Sequence, residues 1–270
     1  MRETLYPPIF VGGLMKSGTS LLRKLLSRHP EIYGGLETHW FSEDFASGFR
    51  DGSSKRQRWL IEFFDFKEAD VSGLRAVTAD SDDFFDRFMG LAAQRHGCSR
   101  WVEKTPDNIL HAGRVYARWP DALLVCMVRD PRDIYASWKR NQKLSLAVFL
   151  EQLGTVIEIV ERLNQEEPQR FLALDYADLV TSPREMLMPL CERIGLAYDE
   201  SMHEYEGDES DLRKLADVTG KRSATAESLA RPIFTSSVGQ WRGVLGDDEV
   251  QAICRLVDGA KPAVSWIADD

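Results

Sequence analysis

FVGGLMKSGTSLLRKLLSRHP, Phe10 to Pro30, combines three local structures in one run. Pro8 to Val11 is predicted as a short buried strand. Gly12, Gly13 and the cluster Lys16, Ser17, Gly18, Thr19, Ser20 follow as a turn. Ser17 to Arg28 is then predicted as a helix, because Leu21, Leu22, Leu25 and Leu26 recur at the spacing of one helical face. Strand, glycine-bearing turn and helix start together make an anion site, where unpaired amides and the helix dipole converge. The stretch therefore points to a bound phosphate.

The turn is not an ordinary nucleotide loop. In the pattern G-x-x-x-x-G-K-[ST] the lysine reaches the β/γ-phosphates and the hydroxyl holds magnesium. Gly13 and Gly18 keep that spacing, but Thr19 stands at the lysine position and a lysine appears earlier, as Lys16. The strand predicted over Ala122 to Val128 ends in Arg129, a cation where a magnesium-binding aspartate would be expected. An arginine there favours a second phosphate and disfavours a metal. A bare tight turn with Lys16 solvated, and a structural ion pair of Arg129 with Asp130 or Asp133, are the competing readings.

The remaining chain alternates strands and helices. "EIYGG" and Arg100 to Lys104 are predicted strands, with a helix from Asp107 to about Trp119. Asp130 and Pro131 supply an N-cap and a proline at the first helical position, opening a helix to about Asn141. Another runs from Leu144 to about Asn164, then a strand from Arg170 to Tyr176 and a helix from Pro183 to Ile194. The polar segment from Ser201 to Ala230 has the weakest pattern, and a last helix is expected over Asp247 to Val257. This order predicts a three-layer α/β/α fold with a central, mainly parallel sheet, P-loop NTPase-like. Ligands in such sheets gather at the C-terminal ends of the strands. The 12–20 turn, Lys104 and Arg129 then share one rim.

With 270 residues, 43% of them hydrophobic, the chain suits a single α/β domain over 1–270. A helical, aromatic-rich insertion is expected at about 40–97, and it holds nine of the 13 phenylalanines, Phe41, Phe45, Phe49, Phe63, Phe64, Phe66, Phe84, Phe85 and Phe88. It is read either as a cap lining an acceptor pocket or as a helical core. The net charge of −9 argues against a nucleic-acid partner. The four cysteines form no C-x-x-C pair, so neither zinc nor a disulfide framework is expected. No stretch approaches the ~20 apolar residues of a membrane span. The opening MRETLYPPIFVGG lacks a leader's basic start and long apolar centre, which predicts a cytoplasmic protein.

Four segments in order resemble the sulfotransferases that use 3′-phosphoadenosine 5′-phosphosulfate. VGGLMKSGTSLLRKLLSRHPEI is similar to their 5′-phosphosulfate loop, G-x-x-[RK]-S-G-T-[TS]-L followed by H-P. VRDPRDIYASW resembles their 3′-phosphate motif, in which a serine follows the strand-ending arginine by eight residues, as Ser137 follows Arg129. EKTPDN and SSVGQW match two further family segments. The resemblance covers roughly Pro8 to Val257.

It implies that Lys16, Ser17, Gly18, Thr19 and Ser20 hold the 5′ end of the donor, and that Arg129 and Ser137 hold its 3′-phosphate. Adenosine 3′,5′-bisphosphate is then the product, and no metal is needed. The cytosolic branch places a histidine two residues after a lysine, but Pro106 stands there, after Lys104 and Thr105. The branch resembling protein-tyrosine sulfotransferases carries a glutamate in G-E-E-T, and GGLETHW puts Glu37 at the matching place. The resemblance thus implies Glu37 as general base, with Lys104 and Lys16 supporting the leaving phosphate. His39 is the rival base, since its ordinary pKa suits proton transfer.

Two departures bear on the 5′ end. Gln240 precedes Trp241 where relatives carry a basic residue, and Gly239 replaces a serine, leaving Ser236 or Ser237 to serve. Lys221 and Arg222 are candidates for the missing charge, with plain solvation as the competing reading. The acceptor is expected to be a small-molecule or peptide hydroxyl. A P-loop kinase using ATP and a catalytically silent nucleotide-binding module are the alternatives.

Overall fold

Ile9, Phe10 and Val11 are apolar without alternation because both faces of their strand are covered, and all three are fully buried. The computed structural model describes residues 6–42, 55–141, 145–220, 223–260, 262 and 264–267. Strands β1 (Ile9–Gly13), β2 (Ile32–Gly34), β3 (Arg100–Lys104), β4 (Leu123–Val128) and β5 (Phe171–Asp175) form one five-stranded sheet in the order β2-β3-β1-β4-β5. Every pairing is parallel. β1 lies in the middle, with β3 on one side and β4 on the other, so the chain after β1 emerges where the strand order reverses.

Helices cover both faces. Ile9, Val11, Leu123, Val125 and Met127 pack with α1 (Thr19–Leu26), α8 (Tyr176–Thr181) and α9 (Pro183–Arg193). On the opposite face Phe10, Leu124, Cys126 and Val128 pack with α4 (Ser81–Arg95), α5 (Ala112–Arg118), α6 (Pro131–Asn141), α7 (Leu146–Glu166) and α12 (Asp247–Ala260). The fold is three-layered α/β/α and P-loop NTPase-like, as predicted. The predicted helix over Asp107–Trp119 divides into a 3₁₀ helix, Pro106–His111, and α5.

The aromatic segment divides by role. Phe84, Phe85 and Phe88 of α4 belong to the core: Trp40 stacks on Phe85 at 4.5 Å, and Phe85 meets Trp101 edge-on at 5.7 Å. The helices α2 (Lys55–Phe63) and α3 (Glu68–Val77) precede α4; Leu60 and Phe63 of α2 belong to the same core and, with Trp59, also line a cavity. Phe45 and Phe49 lie outside the described residues.

The segment with the weakest sequence pattern is built into helices α10 (Ser210–Thr219) and α11 (Ala224–Leu229). Leu215 and Val218 of α10 pack against the core, but part of the attachment is polar, which hydrophobic periodicity cannot register. Arg23 and Lys24 are buried on α1 although the leucine stripe gives no reason for it. Arg23 pairs with Asp211 of α10, and Lys24 meets Asp208 at 2.6 Å and Asp211 at 3.4 Å. Burial alone would raise the Asp211 carboxyl, but Arg23 and Lys24 outweigh it and hold the group below its ordinary value.

Removing one partner of such a pair leaves a buried charge uncompensated. Asp211→Ala should therefore cost about 3 kcal/mol in urea unfolding, whereas Arg23→Met combined with Asp211→Leu should recover most of that loss. A depressed carboxyl stabilises above its unfolded pKa, about 3.9, and loses that contribution as pH falls through the folded one. The gap between wild type and Asp211→Ala should therefore close on acidification below about pH 4.

Candidate active site

The loop after β1 is shaped by what holds its carbonyls. Trp138 Nε1 of α6 donates to Met15 O at 2.7 Å, and Arg129 Nη1 donates to Lys16 O at 2.9 Å. Ser17 N–H closes a turn on Leu14 O at 3.0 Å. Lys16 takes a left-handed backbone, φ 75°, and Gly18 enters α1 at φ 105°. The first amides of α1 have no partner within the helix, and Ser17 Oγ is buried with no partner among the described residues. This set of donors fits an anion.

At the other end of this rim stands Arg129, which closes β4. Its Nη2 donates to Ser237 O at 2.6 Å, its guanidinium lies 4.3 Å from the centre of the Tyr176 ring, and Tyr176 Oη shares a 2.7 Å hydrogen bond with Ser237 Oγ. The two carboxylates expected to compete for Arg129 are engaged elsewhere. Arg132 forks Asp130, while Asp133 accepts from the amides of Gly239 and Trp241 at 2.9 and 3.0 Å. Asp133 thereby clamps the segment carrying Ser237 onto α6. Ser237, expected at the donor's 5′ end, has its contacts with Arg129 and Tyr176.

A cavity of about 400 Å³ runs between these ends and is lined by Lys16, Gly18, Thr19 and Ser20 at one side and by Arg129, Ser137 and Ser237 at the other. A second cavity, of about 460 Å³, is lined by His39, Lys104 and the apolar Leu36, Trp59, Leu60 and Phe63. Lys16, Ser20 and Glu37 border both.

The junction carries the strongest electrostatics. Lys104 Nζ at the end of β3 donates to Ser20 Oγ at 2.8 Å and pairs with Glu37. His39 Nε2 stands 3.1 Å from the other Glu37 oxygen. The Lys104 side chain is 4% exposed and that of Glu37 35%, so the ammonium is sunk and the carboxylate faces the cavities. Burial would raise the Glu37 carboxyl, but Lys104 and His39 together hold it far below the usual carboxylate range. Lys16 Nζ donates to Thr225 Oγ1 of α11 at 3.0 Å, and burial, with Lys104 adding to it against Glu37, pushes its pKa down.

The residues singled out in the sequence are thus brought to one rim: Lys16 to Ser20, Glu37, His39, Lys104, Arg129, Ser137 and Ser237. Lys221 and Arg222 lie outside the described residues. Tyr176, Arg140 and Thr225, which also line the first cavity, were not anticipated. Tyr176 follows the end of β5, so the rim rule could have found it. Arg140, a turn beyond Ser137, carried a weaker signal, and nothing local marks Thr225.

Comparison with known proteins gives the family and the fold. The family model described as "Sulfotransferase family" matches residues 7–200. An uncharacterized protein of Aquifex aeolicus is 23% identical over 248 residues, 87% of this chain but 30% of that protein, so the chain spans under a third of its length. A putative protein-tyrosine sulfotransferase of Caenorhabditis briggsae is 23% identical over 97% of this chain and 94% of its own length. Among solved structures, the sulfotransferase domain of the Synechococcus PCC 7002 olefin synthase superposes with a TM-score of 0.69 at 21% identity, covering 97% of this chain and 98% of that one.

The loop geometry can be tested without a ligand. A Cβ on Gly18 would stand 2.3 Å from Tyr176 Cδ2 at a backbone angle that side chains disfavour. Gly18→Ala should lower stability by about 2 kcal/mol or more in chemical unfolding.

Proposed function

The chain belongs to the sulfotransferase family, and on that premise we propose that it moves a sulfuryl group from 3′-phosphoadenosine 5′-phosphosulfate to a hydroxyl of a small molecule or peptide. The observation that carries this reading is the junction: a cavity with anion-binding groups at both ends meets an apolar-walled cavity at Lys16, Ser20 and Glu37. A donor charged at both ends of an adenosine matches the first. An acceptor with an apolar body matches the second. Residues 16–20 would hold the 5′ end through amides, hydroxyls and the Lys16 ammonium. Arg129, Ser137 and Ser237 would hold the 3′-phosphate, the guanidinium fork adding charge-assisted bonds.

The donor supplies an activated sulfuryl group; the chain's residues supply proton transfer and charge. Glu37 takes the acceptor's hydroxyl proton. Lys104 and Lys16 would offset the negative charge that develops on the departing phosphate. In the free protein Lys104 is shared between Glu37 and Ser20 of the loop. Drawing its ammonium toward a phosphate weakens its hold on Glu37 and makes that carboxylate a stronger base.

A second reading is favoured by the 3.1 Å contact between His39 and Glu37, in which His39 is the base and Glu37 orients its ring. The two differ in their pH profiles. With Glu37 as base, kcat/KM should hold down to pH values below about 4.3, since the group stays ionised to lower pH than an ordinary carboxylate. An acid limb at higher pH would count against Glu37 as the base. Glu37→Gln should lose about 10²- to 10⁴-fold in turnover, with unchanged affinity for adenosine 3′,5′-bisphosphate by calorimetry. His39→Asn should keep most of the rate, and the reverse pattern selects the second reading.

The donor class is tested by thermal shift. Adenosine 3′,5′-bisphosphate should raise the melting temperature clearly and magnesium-ATP little. The opposite order would point to a kinase. Nucleotide binding without transfer to any of a panel of phenols, alcohols and tyrosine peptides would point to a silent module.

A further inference from the structure

Side chains on a strand face alternate ways, so beside Lys104, which reaches the loop, Glu103 turns to the other side. Glu103 is 1% exposed. Its Oε1 accepts from Thr38 N–H at 3.3 Å, Thr38 Oγ1 at 2.8 Å and Thr105 Oγ1 at 2.7 Å. Its Oε2 accepts from Asn108 Nδ2 at 2.6 Å. Each of these partners is a neutral donor.

These bonds reach the groups around the junction. Thr38 lies between Glu37 and His39, so fixing both its amide and its hydroxyl fixes the segment from which the two side chains project. Thr105, held by Glu103, accepts from His39 N–H at 3.1 Å. His39 has a left-handed backbone, φ 51°, which a non-glycine residue keeps only where its surroundings over-determine it. Asn108 Nδ2 also donates to Val11 O of β1 at 3.1 Å, two residues before the loop begins to turn. One carboxylate thus joins the strand feeding the phosphate loop, the strand end bearing Lys104, and the segment bearing Glu37.

We propose that Glu103 is a positioning residue for the transfer reaction: its buried carboxylate, acting through Thr38 and Thr105, sets Glu37 and His39 at the junction of the two cavities. A buried carboxylate is costly without full satisfaction, and the satisfaction here comes from the residues whose placement the chemistry needs. A glutamine replaces it poorly, because its amide nitrogen would meet either the Thr38 backbone N–H or the Asn108 amide, donor against donor. The inference rests on the assignment of Glu37 made above.

The test uses the full chain, with 3′-phosphoadenosine 5′-phosphosulfate as donor and 2-naphthol as acceptor. Glu103→Gln should lower kcat at least tenfold while the affinity for adenosine 3′,5′-bisphosphate stays within twofold. The acid limb of its rate profile should move to higher pH, because a displaced Glu37 escapes Lys104, Lys16 and His39. Thr38→Ala and Thr38→Ser provide a readout that needs neither turnover nor the glutamine variant. The ring-nitrogen NMR signals of His39 should shift in the alanine variant and return in the serine one.

Wild-type rates, rate profile and His39 signals in Glu103→Gln and Thr38→Ala would overturn the positioning role, even with Glu37→Gln inactive. Equal losses of kcat and nucleotide affinity would overturn it too, by showing a role in the whole fold. Full activity of Glu37→Gln would instead sink the assignment beneath it.

Discussion

Arg129 is the contact on which the site's shape depends. It follows the buried strand β4, and from there its guanidinium holds the carbonyl of Lys16 in the loop and that of Ser237 far along the chain, while resting on Tyr176. Three separate parts of the sequence are brought to one planar group. A lysine at this position would offer a single ammonium to the same carbonyls and could not stack. The same guanidinium that would grip a ligand also shapes the loop at the ligand's other end, so the two ends of the first cavity are not independent.

Charge is treated differently at different depths. Arg23 and Lys24 are met by Asp211 of α10 and by Asp208 just before it, and Glu103, among the described residues, by neutral donors. At the junction, by contrast, Lys104 is deeply sunk while its partner Glu37 opens to both cavities. The first two arrangements are closed. The third has capacity left for another group, and that asymmetry separates the candidate reaction centre from the buried polar scaffold around it.

How far the sequence carried the reading follows from the range of the forces involved. The strands were evident because burial on both faces writes itself into contiguous residues such as Leu123 to Val128. The loop and Arg129 were evident because a turn and a strand end are also local. What escaped was non-local: Asp211 reaching Arg23 and Thr225 reaching Lys16, each about 190 residues or more away along the chain. Polar anchors of this kind have no period, so a segment that looked loosely patterned became a wall of both cavities. The aromatic segment shows the same limit. Spacing could not separate Phe85, which packs against Trp101, from Phe63, which faces a cavity.

The pairs tying α10 down form a gradient. Arg23 and Asp211 are 3% and 12% exposed, Lys24 and Asp208 7% and 36%, and Lys214 and Asp65 31% and 72%. Dissolved salt screens exposed pairs and barely touches sunken ones. Rising ionic strength therefore loosens this wall from its outer edge inward, with Arg23 as the last point to let go.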